Sequence, residues 1–161
     1  LKDLRLRATG GCTEADRPFI TSVMNQLRQH GFEDAVEFVH DFQDKPRRAF
    51  LQTLSVFSTP APDGEAFGVQ LIEAMAAGIP VVQPQIGAYP EIVNMTGGGL
   101  LYDPADPDAL VNALRELLCD PEKARALGRR GREAVAKEFS IQRVARDMAA
   151  FYESAISRAK K

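Results

Sequence analysis

Apolar and polar residues group along the chain into short segments that predict strands followed by helices. Apolar runs bounded by glycine or polar residues predict strands, and apolar residues repeated every three to four positions predict helices. The predicted strands are 4–11, 36–42, 55–58, 79–83 and 97–102; the predicted helices are 16–30, 46–54, 68–77, 106–118, 121–138 and 140–156, with a short turn at 89–93. This alternation indicates an α/β fold with a doubly wound parallel, Rossmann-like sheet and extra C-terminal helices.

Length and composition are those of a globular protein, and the net charge disfavours some classes of binding partner. We expect residues 1–139 to form one Rossmann-like domain and residues 140–161 to form a C-terminal helix. The formal net charge of -2 gives no electrostatic case for nucleic acid or an anionic membrane. Cys12 and Cys119 are far apart in the sequence, so we expect small buried side chains rather than a disulfide or a zinc site.

The stretch 65–82, EAFGVQLIEAMAAGIPVV, places two carboxylates around the predicted start of a helix. It continues the loop 59–68 at the carboxyl end of a predicted strand, where ligands bind in open α/β sheets. Gly68 lets a ligand approach the backbone closely, and the first N–H groups and the dipole of the helix attract anions. A diphosphate group therefore suits the backbone at Gly68 and Val69.

Glu73 lies on the same helical face as Val69, and helical side chains lean toward the N-terminus. A phosphate would repel its carboxylate, so we expect Glu73 to accept hydrogen bonds from neutral hydroxyls such as those of a ribose. Glu65, in the loop, would face the other side of the phosphates, where a donor sugar would lie. The spacing alone is weak evidence, and its alternative is a solvated Glu65 with a Glu73 that only stabilises its own helix.

The wider segment resembles the donor-binding core of retaining GT-B glycosyltransferases of the group 1 (family 4-like) type. The shared pattern is E-x-F-G-x-x-x-x-E-A-M-A-x-G-x-P-V-V, followed by a glycine loop, P-E-I-V and a glycine–leucine strand. Its residues in this chain are Glu65, Phe67, Gly68, Glu73, Ala74, Met75, Ala76, Gly78, Pro80, Val81, Val82, Gly87, Pro90, Glu91, Gly99 and Leu100. The agreement covers nearly the whole chain and favours a functional role for the two glutamates.

The resemblance implies a role for each motif residue. Members of the family have two Rossmann-like domains across a cleft, and this chain resembles the C-terminal one, which holds the nucleotide-sugar donor. By that resemblance, Glu73 would hold the ribose hydroxyls, and Glu65, the catalytic candidate, would hold the transferred sugar. The backbone amides of Phe67, Gly68 and Val69 would meet the sugar and the diphosphate.

The chain also departs from the family pattern. His40 is our candidate for contacting the base, with a residue of the loop surface as the alternative. It stands where the family usually has glycine, and Ala66 replaces a commoner glycine. The family's first strand, with the Arg and Lys that neutralise the diphosphate, has no match, so no phosphate-binding Arg or Lys is assigned. We expect that unit to lie upstream or to come from a second chain.

The resemblance predicts a retaining hexosyltransferase that uses a nucleotide diphosphate sugar, with UDP among the candidate nucleotides. The acceptor would be a sugar, a lipid or a small molecule, and no metal or other cofactor is expected. Without the N-terminal domain, the fragment is expected to be inactive. The alternative function is a non-catalytic nucleotide-sugar-binding or interaction module of the same fold.

Two further expectations concern the surface of the molecule. In the family the last helix crosses back to the N-terminal domain, so we expect its apolar face to be exposed here and to allow a homodimer. We expect a cytoplasmic location, peripheral at the inner membrane face in the full-length protein. Asp106-Pro107-Asp108 contains a D-x-D pattern that is found in metal-binding transferases, but helix capping explains it, with Asp106 as N-cap.

Overall fold

The protein is described by a computed structural model that covers residues 4–10, 13–39, 44–61 and 63–159, without the side chains of residues 44–46. Two compact units divide the chain, Leu1–Phe50 and Leu51–Lys161. The candidate for contacting the base, His40, lies outside the described residues, and so does Cys12.

The first unit contains two parallel strands joined through a helix. Its elements are β1 (Leu6–Thr9), α1 (Arg17–Gln29), β2 (Val36–Val39) and α2 (Asp44–Gln52), the last of which ends in the second unit. β1 pairs with β2 in parallel, with Arg7 directly opposite Glu37. The strand–helix–strand pattern predicted for this part of the sequence is therefore present.

The second unit contains the remaining elements. They are α3 (Val69–Ala76), β3 (Val81–Pro84), α4 (Tyr89–Thr96), β4 (Gly99–Tyr102), α5 (Ala109–Cys119), α6 (Pro121–Glu138) and α7 (Ile141–Ala159). β3 and β4 are parallel, and Phe57 forms a parallel bridge with Val81 on the other side of β3. Parallel strands flanked by helices confirm the predicted Rossmann-like α/β fold.

The predicted strand 55–58 is wrong in extent, because only Phe57 pairs with β3. Phe57 donates its N–H to the Pro80 carbonyl, and its own carbonyl accepts from the Val82 N–H. The ladder cannot extend toward Ser55, because Pro80 has no N–H to donate. Nor does it extend forward, since the Thr59 N–H donates instead to the Gln83 side-chain Oε1, at 3.2 Å.

Local predictions after β3 also need correction. Residues 89–93 are not a short turn but the start of α4, which Gly97 ends with a positive φ of 59°. Asp106 is not the N-cap of α5; Asp108 is, and the Asp106 carboxylate accepts the Asp108 N–H at 2.9 Å. Cys119 is exposed rather than buried; the buried residues of α5 are Ala113 and Leu117.

Close backbone packing fixes α3 against α6. A Cβ added at Gly128 of α6 would lie 2.1 Å from the Gly78 carbonyl oxygen, just after α3. One added at Gly131 would lie 3.0 Å from the Gly98 Cα and 3.1 Å from the Met75 Cγ. A side chain at Gly128 would collide with the backbone and one at Gly131 would be crowded, so both glycines let α6 pack closely against the C-terminal end of α3.

The core of the second unit lies on both sides of β3. On one side, Val82 packs with Ala113, Leu117 and Leu127 from α5 and α6. Elsewhere in this unit the fully buried apolar side chains come from α3, β3 and α4: Leu71, Ala74, Met75, Val81 and Tyr89. The helix that carries the motif is therefore anchored by one apolar face.

The apolar face of α7 is exposed. Its residues Ile141, Val144, Met148, Phe151, Tyr152 and Ile156 are all largely accessible, with Phe151 65% exposed. The homodimer expected from this face stays a prediction. Among the described residues, none of the helices is long and apolar enough to cross a membrane.

Candidate functional site

The candidate site lies where two loops begin, one after the bridge residue Phe57 and one at the carboxyl end of β3. The loop from Thr59 to Gly68 follows the bridge at Phe57, and the loop from Gln85 to Ala88 follows β3. The Ala88 N–H donates to the Glu65 carbonyl at 2.9 Å, so the loops are joined directly beside the predicted catalytic candidate. The carboxyl edge of a parallel sheet is the ligand-facing edge in this class of fold.

Gly87 allows the second loop to pass close to Glu65. Its φ is +58°, and a Cβ there would lie 2.6 Å from the Glu65 carbonyl oxygen and 2.8 Å from the Glu65 nitrogen. Neither the conformation nor the distance suits a residue with a side chain. The backbone of Glu65 is thus held in place, while its side chain is exposed.

Gly68 forms the N-cap of α3 in a left-handed conformation, with φ 85° and ψ 49°. It is buried, and its carbonyl accepts the Leu71 N–H at 3.0 Å. The first amides of any α-helix lack partners within the helix and carry its positive dipole end. The expected anion-binding position at Gly68 and Val69 is therefore a real helix N-terminus.

Glu73 lies in the middle of α3, away from the buried face that Leu71, Ala74 and Met75 form. It is half-buried, and Val69, one turn earlier on the same side, is 55% exposed. Glu73 is therefore not fully buried, which the expected contact with ribose requires. Glu65 precedes α3 and Glu73 lies in its second turn, and the roles expected for both stay predictions.

The Phe67 side chain packs against the end of α6. Its ring meets the Phe139 ring edge to face, with centroids 6.4 Å apart and an angle of 75° between the planes. Phe67 is still 53% exposed. This contact joins the loop of the motif to the junction between α6 and α7. No sequence motif predicted it.

Sequence reasoning also missed three buried polar groups. The Ser58 hydroxyl, the Gln83 Nε2 and the Tyr89 hydroxyl are buried and have no hydrogen-bond partner within the described part of the chain. Burial raises the pKa of Tyr89, the nearby Glu65 carboxylate raises it further, and the neighbouring Gln70 side chain lowers it. Tyr89 also directly follows Ala88, whose N–H donates to the Glu65 carbonyl, so it lies beside Glu65.

Neither Glu91 nor a cluster of metal-binding side chains adds to this site among the described residues. Glu91 is exposed in the first turn of α4. In the part of the chain that the structure describes, no group of three or more His, Cys, Asp or Glu side chains is arranged to hold a metal ion.

Comparison with known proteins places this geometry in a family. The sequence profile described as glycosyl transferases group 1 matches residues 3–134. An MMP alpha-(1->4)-mannosyltransferase from Mycolicibacterium hassiacum is 38% identical over 133 residues, which are 82% of this chain and 32% of that protein. The lipopolysaccharide core mannosyltransferase LpsB of Rhizobium meliloti is 32% identical over 149 residues, 90% of this chain and 41% of that protein.

Solved structures agree with the sequence comparison. Sucrose-phosphate synthase from Thermosynechococcus elongatus superposes with a TM-score of 0.82 at 31% identity, over 96% of this chain and 39% of that one. Anabaena HepE in complex with UDP-glucose superposes with a TM-score of 0.80 at 21% identity, over 93% of this chain and 41% of that one, which shows a shared fold.

The fold is that of the C-terminal domain of GT-B glycosyltransferases. The chain belongs to the glycosyl transferases group 1 family. It spans between about a third and two fifths of the length of the curated relatives named above.

Proposed function

We propose that this chain supplies the donor-binding site of a retaining glycosyltransferase that takes a sugar from a nucleotide diphosphate sugar. The observation that carries the proposal is a helix that begins at Gly68, with Glu73 on its partly exposed side and with the backbone of Glu65, just before it, held by the loop at Gly87. The family membership and the mannosyltransferases among the relatives support it.

In this proposal the backbone amides at Phe67, Gly68 and Val69 face the diphosphate, because the N-terminus of α3 attracts negative charge. Glu73 accepts hydrogen bonds from the ribose hydroxyls, and Glu65 positions the transferred sugar. Catalysis is electrostatic, since the helix end stabilises the charge that develops on the departing nucleoside diphosphate. The contact of His40 with the base belongs to the same proposal.

The proposal extends to groups that other parts of the protein would supply. Basic side chains that neutralise the diphosphate and an acceptor-binding domain would complete the site, without a metal or other cofactor. The acceptor is a sugar, a lipid or a small molecule, and the chain alone would be inactive. The full-length protein would work in the cytoplasm, peripherally at the inner membrane face.

Titration of the full-length protein with UDP-, GDP- and ADP-sugars tests donor binding. We expect saturable binding to one nucleotide, and in Glu73→Gln a loss of about tenfold to a hundredfold in affinity, because a charged hydrogen-bond acceptor is removed from the ribose. Glu133→Gln, an exposed glutamate of α6, is the matched control and should bind like the parent. A parent that binds none of the three would favour a non-catalytic interaction module instead.

Retention has its own test. We expect the sugar in the product to keep the anomeric configuration of the donor, which proton NMR of the first-formed product reports. An inverted anomeric centre would contradict retention while leaving donor binding intact.

A further inference from the structure

We propose that Tyr89 determines donor specificity by giving a hydrogen bond from its hydroxyl to a hydroxyl group of the transferred sugar. This inference rests on the proposed function and adds a residue to its site. The Tyr89 side chain is fully buried, yet no residue that the structure describes, the neighbouring Gln70 included, has the distance and angles of a hydrogen bond to its hydroxyl. Such a group is unfavourable for folding and needs an explanation, since phenylalanine would fill nearly the same space without it.

The ring of Tyr89 lies beside the α3 N-terminus. A Cβ at Gly68 would lie 3.5 Å from the Tyr89 Cε1 and 3.6 Å from its Cδ1, so one edge of the ring lies against the N-cap. The hydroxyl is carried by the ring carbon next to Cε1 and is therefore close to that helix end. Ala88, the residue before Tyr89, donates its N–H to the Glu65 carbonyl and connects the tyrosine to the expected sugar position.

The charges around the hydroxyl favour a sugar over a phosphate as its partner. Burial and the Glu65 carboxylate keep the phenol neutral, so it can donate a hydrogen bond. Glu65 beside it can only accept. A sugar hydroxyl both accepts and donates, so it satisfies Tyr89 and Glu65 together, whereas a phosphate oxygen would be repelled by the carboxylate.

The test compares sugar-containing and sugar-free ligands on the full-length protein. Affinities for the preferred nucleoside diphosphate and for its sugar conjugate are measured for the parent, Tyr89→Phe and Glu133→Gln. Glu133 is exposed on α6, away from the residues of the proposed site, so Glu133→Gln should bind both ligands like the parent. For Tyr89→Phe we expect about threefold to tenfold weaker binding of the nucleotide sugar and unchanged binding of the free nucleoside diphosphate.

A second measurement separates recognition from a structural role. If the hydroxyl has no partner in the free protein, Tyr89→Phe should melt at the same temperature as the parent or higher. Equal losses for both ligands, unchanged binding of the nucleotide sugar, or a lower melting temperature would overturn the inference. A parent that binds no nucleotide contradicts the proposed function as well, whereas a binding parent with an unaffected Tyr89→Phe contradicts only this inference.

Discussion

At the scale of single residues, the site depends on a glycine that has no chemistry of its own. Gly87 combines a positive φ with a close approach to the backbone of Glu65. The sequence motif identifies Glu65 as the candidate that acts on the sugar. The structure shows that the backbone of Glu65 is positioned by a loop more than twenty residues later in the chain. Changes at Gly87 should therefore affect both stability and the donor binding that we propose.

We predict that Gly87→Ala lowers the free energy of unfolding by about 2–5 kcal/mol, from an unfavourable left-handed conformation and a clash with Glu65. The control is Gly78→Ala, which also has a positive φ, but whose added Cβ would come no closer than 4.0 Å to the atoms around it. The free energy of unfolding of Gly78→Ala should fall by only about 1–2 kcal/mol, the cost of the left-handed conformation alone. Urea unfolding of the two variants gives the difference, and equal losses would show that the contact with Glu65 is unimportant.

The residues of the site divide into those the sequence could predict and those it could not. Glu65, Gly68 and Glu73 belong to one contiguous motif, so their order around a helix start follows from local spacing. Tyr89 and Phe139 come from other elements, and their place beside the motif depends on how α4 and α6 pack. No local sequence pattern predicts contacts between residues so far apart in the chain. A tyrosine in a predicted turn also gives no indication that its hydroxyl is buried.

At the scale of elements, the sequence predicted strand and helix types well and their extents less well. Residues 55–58 contain apolar side chains suited to a strand, but pairing needs backbone groups on the neighbour. Pro80 removes one donor, and the Gln83 side chain takes the Thr59 N–H that would have extended the ladder. The extent of a strand is thus decided partly by residues of its partner.

β1 and β2 offer a test of how a cross-strand pair supports an element. Arg7 faces Glu37 in the parallel register and donates to its carboxylate at 2.7 and 3.1 Å, and the guanidinium also lies 5.3 Å from the centre of the Phe50 ring. The hydrogen bonds from Arg7 hold the pKa of Glu37 below its ordinary value. The folded state therefore favours the charged carboxylate.

The sign of the pH effect follows from that lowered pKa. The pair should stabilise the fold above the pKa that Glu37 has when unfolded, and this contribution should disappear as the pH falls through the lower folded pKa. We predict that Glu37→Gln is less stable than the parent at neutral pH and that the difference vanishes in acid. Thermal unfolding at a series of pH values measures it; a difference that is independent of pH would contradict the role of the charge.

At the scale of the whole molecule, the buried apolar residues are distributed unevenly between the two units. Among the described residues of the first unit, Phe50 is the one buried apolar side chain, and α1 has no buried residue. In the second unit, α3, β3 and α4 contribute many buried apolar side chains, including Leu71, Val81 and Ile92. Because burial of apolar surface is the main stabilising contribution, the first unit should open more easily than the second.

Amide hydrogen exchange followed by mass spectrometry tests this difference. We predict that peptides from α1 and β2 exchange well before peptides from α3, β3 and α4, since local opening there exposes little buried surface. If the donor binds at the α3 N-terminus as we propose, it should add protection around Gly68 and Tyr89, because a ligand that binds only the folded state stabilises it. Equal exchange in both units would mean that the chain unfolds as one cooperative body, and that its apolar burial does not determine where it opens first.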